Sequence, residues 1–158
     1  MHRFLLASIL ACSLGACSKD PNRLYGSVSD IYSLGFNRVQ IKRVGGQNPA
    51  SDQVSIEYQQ VSGQSIQAWV AKLTVTVGDL ANLAGNDVDL TEIVGGLPRG
   101  TMQRIEGTTT DFPLKVGTVR FNQEPVAGTD LSGSFHTTLS DPDGRTLNGD
   151  FQATVVAP

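Results

Sequence analysis

Hydrophobic and polar residues alternate in short stretches along most of this chain, with clusters of Gly, Pro, Asn and Asp between them. In the longest stretch, residues 65–77, the hydrophobic positions are Trp69, Ala71, Leu73, Val75 and Val77. The positions between them include Lys72, Thr74 and Thr76. This period of two predicts a strand with one face in a core and one wetter face.

Similar alternation predicts further strands on both sides of this one. Residues 36–44 place Val39 and Ile41 on one face, and residues 54–58 do the same with Val54, Ile56 and Tyr58. Residues 62–64, Ser-Gly-Gln, predict a hairpin turn before residue 65. Later strands are predicted at 101–106, 115–122, 131–140 and 146–156.

Two segments differ from this pattern. Residues 79–84 predict one helical turn, because Asp79 is a suitable N-cap and Gly85 follows its end. Residues 89–94 fit either the end of a strand or a second helical turn. The chain as a whole therefore predicts an all-β domain, a single antiparallel β-sandwich of about eight strands, with a closed β-barrel as the alternative.

The last two predicted strands form the clearest hairpin. Its turn, residues 140–144, contains Pro142 to fix φ and Gly144 to take a positive φ. Both strands share the pattern Leu-x-Gly-x-Phe, at 131–135 and 147–151. Because Gly133 and Gly149 lie on the face of their large neighbours, we expect each to leave a notch for a facing side chain, or to mark a bulge.

The N-terminus has the order of regions found in secretory signal peptides. Arg3 precedes an apolar run, residues 4–13, which is too short to span a bilayer as a helix. Leu14-Gly15-Ala16-Cys17 follows, and it resembles the lipobox of bacterial lipoproteins. The resemblance implies cleavage between Ala16 and Cys17 and a thioether-linked diacylglycerol, with a further acyl chain such as palmitate, on Cys17.

The resemblance also implies a domain order and a location. Residues 1–16 are the signal peptide, 17–23 the lipidated cysteine with a short polar tether, and 24–158 the β-sandwich domain. Six extended residues reach about 20 Å at most, so the domain is expected close to the bilayer. Ser18 follows the anchor where enteric lipoproteins kept at the inner membrane have Asp, which favours the outer membrane.

Charge and cysteine content argue against several classes of ligand and of stabilising site. The chain has 12 basic and 15 acidic residues, and cleavage would remove Arg3 and leave 11 basic residues, a net charge of −4. An acidic chain is a poor ligand for nucleic acid or anionic headgroups. The two cysteines are Cys12, in the signal peptide, and Cys17, which is lipidated. No disulfide and no cysteine-based zinc site is therefore expected in the mature chain.

Residues that could act in catalysis or bind a ligand or metal ion are few and scattered along the sequence. His136 alternates with Phe135 and Thr137, which places it on the wet face of its strand. The acidic groups Asp141, Asp143 and Asp150, and Asp87 with Asp89, fit turn chemistry better than Ca²⁺ ligation. The carboxylates Glu57, Glu92, Glu106 and Glu124 are isolated in sequence. The stretch Arg38, Lys42 and Arg43 fits a solvated strand face better than an anion site.

The aromatic residues are expected mainly in the core, including Trp69 and most phenylalanines. Tyr25, Tyr32 and Tyr58 are the candidates for an exposed platform that stacks on sugars. No Gly-x-Ser-x-Gly elbow and no phosphate-binding glycine loop is present. We therefore predict no catalytic, metal-binding or cofactor-binding residue, no nucleotide ligand, and no cofactor beyond the lipid on Cys17.

Three functions follow in order of preference. The first is a non-catalytic accessory module, anchored in the membrane by its lipid, which meets an envelope protein partner through strand edges or loops. The second is a binding domain for a small apolar or saccharide ligand, which requires a cavity or cleft. The third is a hydrolase, which requires an acid within hydrogen-bond reach of His136.

Overall fold

Twelve β-strands and one short 3-10 helix make up the regular structure of residues 20–45, 48 and 51–157, which the computed structural model describes. In chain order they are β1 (Arg23–Tyr25), the 3-10 helix (Ser27–Asp30), β2 (Arg38–Val44), β3 (Gln53–Ser62), β4 (Ser65–Thr76), β5 (Asp87–Asp89), β6 (Ile93–Val94), β7 (Leu97–Pro98), β8 (Gly100–Glu106), β9 (Thr108–Phe112), β10 (Leu114–Phe121), β11 (Asp130–Leu139) and β12 (Thr146–Val156). The all-β prediction is confirmed.

Ten of these strands form one curled sheet, a half-barrel, in the order β5-β10-β11-β12-β2-β3-β4-β8-β9, with β1 also paired to β12. The strands β6 and β7 form a separate two-stranded sheet. Neighbours are antiparallel except β12 and β2, which run parallel at Val155–Ile41 and Val156–Lys42. Only Pro113 separates β9 from β10 in sequence, so at this corner the chain passes from β9, at one end of the strand order, to β10, the second strand from the other end.

The core lies inside the curl and is built from the inward positions of the long strands. Its fully buried large side chains include Ile41, Ile56, Tyr58, Leu73, Phe121, Phe135 and Phe151. The Tyr58 hydroxyl donates to the carbonyl of Asp150 at 2.8 Å, and burial raises the pKa of this phenol. This hydrogen bond therefore connects β3 to β12 across the core.

The two glycines of the Leu-x-Gly-x-Phe pattern each leave a notch that a facing side chain fills, as predicted. A Cβ at Gly149 would lie 2.5 Å from Cε1 of Phe135, and one at Gly133 would lie 2.5 Å from Cζ of Phe151. The strand register explains this reciprocal packing, because Gly133 pairs with Phe151 and Phe135 pairs with Gly149. Each phenylalanine occupies the space that the opposite glycine leaves open.

The predicted helical turn at 79–84 is wrong. The Asp79 carboxylate does not cap a helix; it forms an ion pair with Arg99 at 2.6 Å. The backbone N–H groups of Leu83 and Ala84 instead donate to Oε1 of Glu124, at 2.7 and 2.9 Å. A carboxylate from another part of the chain thus binds donors that, in a helix capped by Asp79, would have bonded to the carbonyls of residues 79 and 80.

The other turn predictions are confirmed. Gly63 and Gln64 connect the paired residues Ser62 and Ser65, and Gly63 has a φ of 60°. Gly144 has a φ of 59° in the last hairpin. Within the part of the chain that is described, no helix has the length and apolarity to span a membrane.

Candidate functional site

The predicted processing and lipidation residues, Ala16 and Cys17, lie outside the described residues. The first described residue is Asp20, and Arg23, which the sequence places in the tether, is already the first residue of β1. The side-chain oxygen of Asn22 accepts a hydrogen bond from the N–H of Gln152 at 2.7 Å. The end of the predicted tether is thus fastened to β12.

His136 lies where the alternation predicts, exposed on the outer face of β11. Its register neighbours are Thr118 on β10 and Asn148 on β12, neither of which is acidic. Among the described residues it forms no ion pair with a carboxylate. The geometry that the hydrolase hypothesis requires is not found at this histidine.

The aspartates around the last turn bind arginine side chains. Asp141 pairs with Arg145 at 2.7 Å and also accepts from its backbone N–H, and Asp143 pairs with the same guanidinium. Asp150 pairs with Arg23 at 2.6 Å. In the described residues no three His, Cys, Asp or Glu side chains are grouped to hold a metal ion. Asp141 and Asp143 thus serve the turn, as the sequence pattern favours, whereas Asp150 connects β12 to β1.

The tyrosine platform is not formed. Tyr58 is fully buried, and Tyr32 is partly buried, with its ring centroid 5.8 Å from that of Phe112. Tyr25 alone is well exposed, at 41%. The alternation of Val54, Ile56 and Tyr58 already predicted that Tyr58 lies in the core. This pattern is a better guide to its position than the polar hydroxyl group of its ring.

Trp69 lies on the outer face of the sheet and not in the core, which corrects the sequence prediction. The register of β4 shifts between Trp69 and Lys72 against β8, and a second shift occurs in β3 between Tyr58 and Gln59. As a result Val70 and Ala71 are both buried, and Trp69 is only partly buried. A bulge reverses the face of every residue on one side of it, and strict alternation cannot reveal it.

The carboxylate of Glu57 is the centre of a polar network on this outer face. The residue is only 2% exposed. Its oxygens accept hydrogen bonds from Nε2 of Gln59 at 2.6 Å, Nε1 of Trp69 at 3.0 Å and Nζ of Lys42 at 3.1 Å. The ammonium of Lys72 lies 3.7 Å away. The buried charge is therefore compensated by two cations and neutral donors.

The titration of Glu57 reflects this compensation. Burial alone raises the pKa of the carboxyl group, but the hydrogen bonds from Trp69 and Lys42 and the charges of Lys42 and Lys72 together outweigh it. The pKa of Glu57 consequently lies below its ordinary value. The network gives no signal in the sequence, because its members become neighbours only through strand register, in which Glu57 faces Lys72 and Gln40.

The basic stretch on β2 is likewise engaged rather than simply solvated. Arg43 holds Asp52 with two hydrogen bonds, at 3.1 and 2.8 Å, and donates to the carbonyl of Pro125. Arg38 donates through Nε to the side-chain oxygen of Gln59 at 2.6 Å. Arg38 and Arg43 thus bind different partners.

A second notable region is the corner at Phe112 and Pro113, where β9 passes into β10. The strand β9 is at the end of the sheet order, and within the described residues its one neighbour is β8. Its first two residues, Thr108 and Thr109, are exposed. The backbone groups on the other side of β9 therefore form an open sheet edge.

Two grooves adjoin this corner and share Asp111, Phe112 and Pro113. The first, of about 390 Å³, lies toward the β6–β7 hairpin and includes Ile93, Pro98 and Leu114 among its lining residues. The second, of about 310 Å³, lies toward the loop after the 3-10 helix and the last hairpin, and it is lined by Ile31, Tyr32, Phe112, Pro113, Leu139, Ser140, Asp141 and Arg145, besides Asp111.

The β6–β7 hairpin beside the first groove carries the most exposed large apolar side chains of the described chain. Ile93 is 64% exposed and Leu97 is 70% exposed. Its base is fixed by Arg99, which is 2% exposed and whose guanidinium pairs with Asp79 and Glu92. Exposed apolar side chains that are grouped in this way are a feature of contact surfaces.

Comparison with protein-family models, with curated proteins and with solved structures found no match for this chain. The geometry of the corner and of the outer face is thus the basis for assigning a function.

Proposed function

We propose that this chain is a lipid-anchored protein of the bacterial envelope whose β-domain is a non-catalytic interaction module. It binds an extended segment of a protein partner along β9. The open edge of β9 carries this proposal. The lipid anchor rests on the resemblance of Leu14-Gly15-Ala16-Cys17 to a lipobox, and it would hold the domain near the membrane surface.

Several strands have open edges, and the composition of β9 makes it the best suited of them to strand addition. An open edge offers unpaired N–H and C=O groups to any extended chain, and natural proteins often protect such edges with charge, proline or short length. The strands β1 and β5 have three residues each, and β5 carries Asp87 and Asp89. By contrast β9 has five residues, three of them threonine, and its one charge is Asp111.

The two grooves suggest what the partner segment looks like. Successive side chains of a strand point to opposite faces of a sheet. The grooves share Asp111, Phe112 and Pro113 and otherwise have different lining residues, so neighbouring side chains of an added strand could enter different grooves. Both grooves have apolar walls, so the partner segment should carry adjacent apolar residues at its end next to Phe112.

Site-specific photo-cross-linking in intact cells tests this proposal. A benzophenone amino acid is introduced at Thr109 on the open edge and, as the matched control, at His136, which is exposed in the middle of the same sheet. We expect a light-dependent adduct of one defined mass from position 109 and none from position 136.

The composition of the adduct and a second variant complete the test. Peptide mapping should place the cross-link in an extended segment with adjacent apolar residues, and Thr110→Lys, which adds a charge to β9, should reduce the yield. Adducts of equal yield from positions 109 and 136, or no adduct from position 109, would refute strand addition at β9.

A further inference from the structure

The outer face of β2, β3 and β4 around Trp69 carries hydrogen-bond donors that the fold itself does not use. The Lys72 ammonium lies 3.7 Å from Glu57, close enough for charge attraction but beyond hydrogen-bond distance. Arg38 uses its Nε for Gln59, and its two terminal nitrogens make no hydrogen bond within the described residues. These donors point to a surface that can bind an acceptor.

The local charge of this face is opposite to that of the molecule. The chain carries a net charge of −3. Around Trp69, however, three cations, Arg38, Lys42 and Lys72, surround the single carboxylate of Glu57. The next carboxylate on this face, that of Asp111 on β9, accepts from the side-chain amide of Gln103 at 2.8 Å. The face thus keeps a local excess of positive charge that would attract an anion.

The indole of Trp69 gives this cationic face an apolar surface. Its Nε1 is fixed by Glu57 at 3.0 Å, and the ring is only partly buried. An aromatic ring held in this way offers a flat surface to the C–H face of a sugar ring without losing further side-chain freedom. The side chain of Gln40, which accepts from Gln59, adds an amide to the same face.

We infer that this face is a binding site for an acidic saccharide, in which a pyranose ring packs on Trp69 and its carboxylate meets Lys72 and Arg38. The site is separate from the open edge of β9, so the saccharide site and the partner site can fail independently.

The fluorescence of the protein reports on this site directly, because Trp69 is the one tryptophan of the chain. Tetragalacturonate is titrated into the full-length protein, and its fully methyl-esterified form is the matched neutral probe. We expect a saturable change in Trp69 emission with the acid. The ester should bind about 25-fold more weakly, since the carboxylate loses its charge interactions with both Lys72 and Arg38, each worth about fivefold.

A pair of variants assigns the effect to the face. Lys72→Gln removes a cation that makes no hydrogen bond to Glu57, and Lys115→Gln removes an exposed lysine of β10 as the control. Lys72→Gln should weaken acid binding about fivefold and Lys115→Gln should not, with unchanged circular dichroism in both. The inference is overturned if the acid gives no saturable change, if acid and ester bind equally, or if both variants bind alike.

Discussion

Glu57 shows how a single buried charge is tolerated in this sheet. Its carboxylate lies on a strand face that would otherwise be solvated, and Trp69 and Gln59 cover it while Lys42 and Lys72 neutralise it. Removing one partner of a buried charge network usually costs more than the network contributes, because the remaining groups lose their compensation. The cluster is therefore sensitive to substitution at its centre.

Replacing Glu57 by glutamine should destabilise the domain by about 1–3 kcal/mol at pH 7, because two ammonium groups lose their counter-charge. Urea unfolding measures this difference. Asp87→Asn is the control, since its exposed pair with Arg120, at 3.4 Å, should contribute less than about 1 kcal/mol. Equal effects of the two substitutions would contradict the central role of Glu57.

The same variant has a defined pH dependence. Because the pKa of Glu57 in the folded protein lies below its ordinary value of 4.5, its contribution is complete above about pH 4.5 and is lost as the pH falls through the folded pKa. The difference in unfolding free energy between wild type and Glu57→Gln should stay constant from pH 7 to about 5 and shrink below pH 4.5. A difference that grows on acidification would contradict this sign.

Residue-level features were predictable where they follow from alternation alone. The exposed position of His136 and the notches at Gly133 and Gly149 are examples. Trp69 and Glu57 were not predictable, for two physical reasons. A bulge changes which face a residue occupies, and a charge network across strands depends on register, which a single sequence does not specify.

Among the elements, the β6–β7 hairpin depends most on one side chain. Arg99 is buried at its base, donates to the carbonyl of Thr76 at 2.9 Å and binds the carboxylates of Asp79 and Glu92. These contacts connect the hairpin to the end of β4. The exposed Ile93 and Leu97 beside the first groove are thus presented on a fixed support.

Arg99→Ala should loosen this hairpin more than the rest of the domain. We expect faster amide hydrogen exchange in residues 92–98, and a loss of about 1–3 kcal/mol in unfolding free energy, because the buried contacts at the hairpin base are removed. Arg120→Ala, which removes an exposed guanidinium on β10, is the control and should leave exchange in 92–98 unchanged. Similar exchange in both variants would show that Arg99 does not hold the hairpin.

Strands were predictable as elements, whereas the short helical turn was not. The turn at 79–84 had the right local residues, but Arg99 binds the predicted cap Asp79, and Glu124 binds the backbone N–H groups of Leu83 and Ala84. Local preference lost to tertiary contacts. Residues 89–94 likewise contain the end of β5, a turn at 90–92 and the strand β6, which no local pattern could separate.

At the scale of the whole molecule, the curl of one sheet replaces the choice between a sandwich and a barrel. Hydrophobic alternation is the same in all of these folds, so the sequence could not select one. Two features decide it: the parallel contact of β12 with β2, and the corner at Pro113 that joins the end strand β9 to β10, the second strand from the other end. Both depend on contacts between residues far apart in sequence.

The proposed lipid anchor and the open edge of β9 would act together in the whole molecule. Each buried methylene contributes about 0.8 kcal/mol, and stable anchoring requires more than one acyl chain, so a doubly or triply acylated Cys17 would seldom leave the membrane. A partner bound at β9 would then be recruited to the membrane surface. This arrangement requires the chemistry at Cys17.

The most direct test of the anchored account is the intact mass of the mature protein isolated from membranes. We expect a chain that begins at Cys17 and carries two or three acyl chains, and we expect Cys17→Ser to move the protein into the soluble fraction. A free thiol at Cys17, a mature start at another residue, or equally tight membrane association of Cys17→Ser would contradict it.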